Sequence, residues 1–339
     1  MAYDPLSARL ASLPLVICGP LLRRVTTTSV TVFVALRQAR RATLSVSSLA
    51  GGGGAGNPSF GSAATSTIQI GTNLHVLAVT ATGAVVPGKT YVYDVRFEPM
   101  IGAAGSTQAL MDPGVVAATS ADAKAALTYQ STVPGAPSLP SFTAPPSDPN
   151  QLRVIHYSCR KPHADGTDAL PTVDEMIENA LAGARPQDGP RPHLLLHTGD
   201  QIYADDVSDL VLLVLIDAAD ALLGWTFPGE TLPAVAGNVA PRTLRPGRRA
   251  ATAAEGKMTS SAAASHLFGY GEFCAMYLHA WSPTLWPATL PAVTDLTAGA
   301  ADYHEVERRT WAYNSQLPHT PKPSACSASQ RQRLPRLPV

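Results

Sequence analysis

The chain has 339 residues, 45% of them hydrophobic, and its 25 basic and 25 acidic side chains balance to a formal charge of zero. That length supports about two domains with a real core, and neutrality removes any global pull toward nucleic acid or an anionic membrane surface. Four cysteines (Cys18, Cys159, Cys274 and Cys326) stand far apart with no Cys-x-x-Cys pair, a pattern that indicates neither a zinc knuckle nor a disulfide framework.

The opening segment, MAYDPLSARLASLPLVICGPLL, has an early acid, no basic stretch and prolines in its apolar run. It does not read as a signal peptide. With the sparse cysteines this points to a cytoplasmic protein. Residues 15–130 read as β structure. Residues 29–36 (SVTVFVAL) alternate with period two, and 42–47, 67–70, 75–80 and 90–98 repeat the pattern between turns rich in Gly and Pro. β-branched residues at this spacing suit pleated, half-buried strands. The expected domain, residues 1–133, is an antiparallel β-sandwich of the immunoglobulin or fibronectin type. Gly51 to Gly54 is no phosphate loop, because neither a Lys-Ser/Thr pair nor a helix follows. Residues 134–150, rich in Pro and Ser, read as a linker.

Beyond 150 the period changes. Residues 153–157 predict a buried strand, and Leu170, Val173, Met176, Ile177, Ala180, Leu181 and Ala184 recur at helical spacing. Residues 194–196 predict the next strand. Such a β-α-β unit implies a parallel sheet with a right-handed crossover, whose ligands bind beyond the carboxyl ends of the strands. Cys159 and Asp200 sit there. Asp205 and Asp206 can cap a helix over 207–223. Asp209, Asp217 and Asp220 interrupt its apolar run, so no stretch reaches the roughly 18–20 apolar residues of a membrane span. Residues 224–260, rich in Gly, Pro and Arg, read as a long loop. Residues 265–281 and 300–316 predict two further helices, and 317–339 carries no apolar periodicity.

Asp200 on its Gly turn is an oxygen donor suited to a hard cation or to bridging two metals, or else a capping residue in a turn. Cys159 as a thiolate prefers a transition metal, and as a thiol behaves as a small hydrophobe. Tyr203 can offer a phenolate to a ferric ion or pack at a sheet edge. His156 and His197 lie on the strands and read as packed, hydrogen-bonded histidines. Arg160 and His163, just past the Cys159 turn, are candidates to face an anionic substrate. Arg242, Arg245, Arg248 and Arg249 can bind phosphate or line a solvated loop.

At SCRKPH (158–163), HTGDQIYADD (197–206) and HLFGYGEFCAMYLHAWSPTLWP (266–287) the chain resembles the PhoD-like metallophosphatases, also called the alkaline phosphatase D family; GPLLRRVTTTSVTVFVAL (19–36) is similar to the start of that family's N-terminal sandwich. The resemblance implies an α/β metallophosphatase domain behind the sandwich, and phosphomonoester or phosphodiester hydrolysis on small-molecule substrates with iron and calcium. It implies Cys159 and Tyr203 as iron ligands and Asp200 as the carboxylate bridging iron and calcium. The chain departs from the family after residue 316. An Asp-Asp-His type motif and later Asn and His motifs do not follow, so residues 151–316 read as a partial metallophosphatase domain. The expectation is a reading frame lost near Leu317 and a tail, 317–339, without structure. Three ligands from one rim do not complete two coordination shells, so low activity is expected. The competing expectation is a noncatalytic module whose sandwich binds a partner or glycan.

Overall fold

The computed structural model describes residues 3–49, 59–116, 128, 139–160, 170–183, 189–205, 207–225, 229–232, 237–261 and 263–292. Nine strands form one antiparallel sheet among them: β1 (Val16–Val25), β2 (Ser29–Leu36), β3 (Arg41–Ser48), β4 (Phe60–Gly61), β5 (Thr65–Ser66), β6 (Ile68–Gly71), β7 (Leu74–Thr82), β8 (Thr90–Glu98) and β9 (Ser141–Thr143). The main path runs β1-β2-β7-β4-β3-β8-β9, with β5 on β3 and β6 on β7. Two separate packed sheets were expected. Instead one hydrogen-bonded sheet curls, so that Val30, Val32 and Val34 of β2 share a core with Leu44 and Val46 of β3 and Val95 and Phe97 of β8. Each such side chain contributes on the order of 1.5–3 kcal/mol when fully buried.

β9 corrects the linker reading. Residues 141–143 pair with β8, and Phe142 stacks on Tyr91 at 5.5 Å between ring centroids. The buried Arg191 donates to Ser141 Oγ at 2.8 Å and to its carbonyl at 2.6 Å. A Pro/Ser-rich stretch is thus tied into the sheet wherever its backbone can join the ladder.

The outer face of β1, β2 and β7 carries a second core. Ile17, Leu21, Ala35 and Leu74 meet the helices α3 (Asp209–Leu223) and α5 (Tyr270–Trp281), which follow α1 (Leu6–Arg9) and α2 (Leu170–Ala182) and flank the short α4 (Ala250–Glu255). α3 is apolar almost all round, and the acids that interrupt it each have a partner. Asp209 accepts from Ser265 Oγ, Asp217 from Ser7 Oγ at 2.6 Å, and Asp220 pairs with Arg242 at 2.5 Å. Among the described residues no helix is long and apolar enough to cross a membrane. Asp205 does not cap α3. It accepts from Ser260 Oγ at 2.7 Å, and Ser208 stands at the N-cap. Asp206 lies outside the described residues, as does the predicted helix 300–316.

The far end of α3 is closed by the β6–β7 turn. Thr72 N–H donates to the Leu223 carbonyl at 3.1 Å, Asn73 N–H to Leu222 at 2.9 Å, and Asn73 Nδ2 to Ala221 at 2.8 Å. These are carbonyls that a helix leaves without an internal partner. Gly71 allows the approach, because a Cβ there would stand 2.5 Å from Leu223 Cα.

His279 on α5 is buried. Its Nδ1–H donates to the Ala275 carbonyl at 2.8 Å, and Trp286 meets it edge-on at 5.3 Å. Burial pushes its pKa down to about 4. The unfolded chain therefore takes up a proton below about pH 6.5 that the native state refuses. Stability is expected to fall as pH drops from 6.5 and to level off below about 4, a loss of about 3 kcal/mol at roughly 1.4 kcal/mol per pH unit. Urea unfolding across pH 4–7 measures it, and His279→Leu should flatten that part of the curve.

β10 (Val154–Ser158) and β11 (Leu194–Thr198) form a separate parallel pair, with Ile155 opposite Leu195 and Ser158 opposite Thr198. α2 covers one face: Leu170, Val173 and Ile177 pack on Ile155, Tyr157 and Leu195. The strand expected to be buried, residues 153–157, is thus covered on one face among the described residues. On the other, Val154 and Leu194 are 39% exposed and Leu196 41%.

Candidate metal site and a basic cleft

The parallel register brings the carboxyl ends of β10 and β11 to one rim. Cys159 follows Ser158 with φ +54°, and Gly199 follows Thr198 with φ +69°. Two left-handed residues side by side turn both chains at the same level. Arg160 N–H then donates to the Asp200 carbonyl at 3.2 Å, which locks one turn to the other. Gly199 is required for more than its φ. A Cβ at this position would stand 2.8 Å from Cys159 Sγ and collide with Ser158 Oγ.

Tyr203 closes the group. Its hydroxyl donates to the Cys159 carbonyl at 3.2 Å and lies within reach of the Asp200 carboxylate and the Cys159 side chain. The phenol pKa is pushed up to about 12, first by loss of solvent and then by the neighbouring negative groups. A cation at this point reverses the sign of that effect, because it favours the phenolate. Cys159 and Asp200 are exposed and Tyr203 partly so. The structure therefore gathers the thiol, carboxylate and phenol that the sequence singled out.

The donor set can be tested against the implied metals. Thiolate, phenolate and carboxylate suit one ferric ion. No third His, Cys, Asp or Glu joins Cys159 and Asp200 among the described residues. Calcium takes about six to eight oxygen ligands, usually with several carboxylates, and among the described residues the rim brings Asp200 alone. The donors among the described residues suit an iron and are too few for a calcium beside it.

Other candidates fall elsewhere. His163 lies outside the described residues, and Arg160 reaches the rim through its backbone. The half-buried His197 ring bonds the Tyr157 hydroxyl, as expected of a packed histidine, whereas His156 bonds Thr198 Oγ1 at 2.7 Å but is exposed rather than packed. The arginines of the long loop are corrected in part. Arg249 is fully buried against Glu272, and Arg242 is paired with Asp220, so neither offers its guanidinium to phosphate. The loop itself is interrupted by α4 and by a helical turn at Pro241–Thr243.

Sequence reasoning passed over a cleft of about 690 Å³ between β1 and β11, lined by Arg23, Arg24, Arg191, His193, His197 and Trp281 among apolar side chains. The visible signal was Arg23-Arg24, two cations in succession within an otherwise apolar strand. No family model matches the chain, and no curated protein matches it significantly.

Proposed function

We propose that the chain carries the iron-binding rim of a PhoD-like, metal-dependent phosphoester hydrolase. The observation that supports this reading is the convergence of Cys159, Asp200 and Tyr203 at the ends of two parallel strands. Cys159, Asp200 and Tyr203 would hold the iron. Bound there, iron would supply Lewis acidity toward a phosphoester oxygen. The chain's own part is positional: Gly199 and the left-handed Cys159 set the donor spacing, and the Arg160–Asp200 backbone bond keeps the two turns in step. Hydrolysis by these residues alone is expected to be slow, since one carboxylate does not clamp a second cation. That same shortage of donors favours the second reading, a noncatalytic module presenting its curled sheet to a partner.

Ferric iron added to the purified protein is expected to give a visible tyrosinate-to-iron charge-transfer band. The band should strengthen as pH rises, because loading displaces the phenolic proton. Tyr203→Phe should abolish it. A band that survives this substitution removes Tyr203 from the site, and a wild-type protein that stays colourless favours the noncatalytic reading.

A further inference from the structure

The cleft between β1 and β11 is distinct from the metal rim in chemistry. Among the described residues its charged lining is basic or imidazole, with no Asp or Glu, in a chain whose charges balance overall. Arg23 and Arg24 are neighbours on a strand, where successive side chains point to opposite faces. The register of β1 against β2 slips between Leu22 and Val25, a bulge that spans both arginines. Bulges re-aim side chains, and here both arginines line the cleft. Arg23 also lies 5.8 Å over the Trp281 ring, so its cation is held beside an aromatic wall. Leu194 and Leu196 continue that wall. Both cleft histidines are held toward the neutral form: His193 by loss of solvent and then by Arg153 and Arg191, and His197 by loss of solvent, which a hydrogen bond with Gln201 opposes and Arg23 reinforces. The positive charge of the cleft comes from Arg23, Arg24 and Arg191 in its lining.

We propose that this cleft binds a single-chain amphiphile with an anionic head, the head against Arg23 and Arg24 and the alkyl chain along Trp281, Leu194 and Leu196. The volume lies within the roughly 300–1,000 Å³ of small-molecule sites. A carboxylate and a phosphate monoester share the chemistry that two guanidiniums recognise. A bare inorganic anion leaves the apolar walls unused. This assignment does not rest on the metal reading, although Gly199 and Gln201, on either side of Asp200, also line the cleft.

Calorimetric titration of the full chain with dodecanoate and with dodecyl phosphate, each below its micelle threshold, is the test. Saturable one-to-one binding of at least one is expected, and which binds more tightly separates an acyl carboxylate from an acyl phosphate. Dodecyltrimethylammonium and inorganic phosphate should each bind at least about tenfold more weakly, as the loss of one charge-assisted contact or of the chain requires. Arg23→Gln with Arg24→Gln should weaken binding by at least about tenfold while leaving the thermal midpoint in place, since both side chains are exposed. Equal affinity for the cationic amphiphile, equal affinity for inorganic phosphate, binding to anionic vesicles without binding of the monomer, or indifference to the double substitution would overturn the proposal. The comparison among amphiphiles needs only the unmodified protein, so it stands even if the variant misfolds.

Discussion

Arg249→Ala is expected to destabilise the protein by about 3–5 kcal/mol, a large share of the roughly 5–15 kcal/mol that typically holds a protein folded. All the donors of this guanidinium are used. Nη1 donates to Glu272 Oε2 at 2.7 Å and to the His266 carbonyl at 2.9 Å, and Nη2 to Glu272 Oε1 and to the Pro241 carbonyl, each at 2.8 Å. Nε donates to the Leu244 carbonyl at 3.0 Å. The substitution leaves a carboxylate in the interior, removes a donor from the His266 and Leu244 carbonyls and leaves the Pro241 carbonyl only the Leu244 N–H, and it opens a void beside Phe268, over which the guanidinium lies at 5.4 Å. Removing one partner of a buried pair costs far more than the pair contributes, because the survivor stays desolvated. The double replacement Arg249→Met with Glu272→Met should therefore recover part of the loss. Urea unfolding of the variants checks both statements; a loss below about 1 kcal/mol for Arg249→Ala would place the pair among solvent-screened ion pairs instead.

Gly199→Ala is expected to cost iron binding about 10- to 100-fold, the range seen when groups that orient metal ligands are lost. Two effects act together. An L-residue at φ +69° pays about 1–2 kcal/mol in backbone strain, and the new methyl drives Ser158 and Cys159 away from Asp200. Gly183→Ala separates them. Gly183 has a similar φ of +63° with nothing within 4 Å of the added Cβ, so it carries the strain without the collision. Iron titration of both variants by the visible band should show the loss in Gly199→Ala alone. Equal affinity in the two would mean that the spacing of the rim does not depend on Gly199.

Much of the sheet was legible because one of its faces is buried. Residues 29–36 and 90–98 alternate cleanly, and β2 and β8 have those bounds. β1 escaped because Arg23-Arg24 and the bulge break the alternation, and β9 because Pro and Ser surround it. That the strands close as one curled sheet depends on partners far apart in sequence, such as β2 with β7 and β3 with β8, which local pattern does not encode. At the candidate site, Cys159 and Asp200 were legible from strand topology, since parallel strands in register end on one rim. The arginine run was misread because the partner of Arg249, Glu272, belongs to a helix, α5, on which its carboxylate looks like any solvated acid. The strand over 153–157 looked buried, whereas only alternate residues of the pair, Ile155, Tyr157 and Leu195, pack on α2.

The turn that closes α3 sets how the molecule comes apart. Because Thr72 and Asn73 supply donors to the last carbonyls of the helix, melting the β6–β7 hairpin strips the helix of its terminus, and unwinding the helix exposes the outer face of the sheet. The two form one cooperative unit, and their amides should exchange with solvent deuterium only through global opening. The β10–β11 pair rests on a small core of its own, centred on Leu170, Val173 and Ile177. Its amides should exchange first, so the segment that bears Cys159, Asp200 and Tyr203 would open and reclose on a scaffold that stays intact.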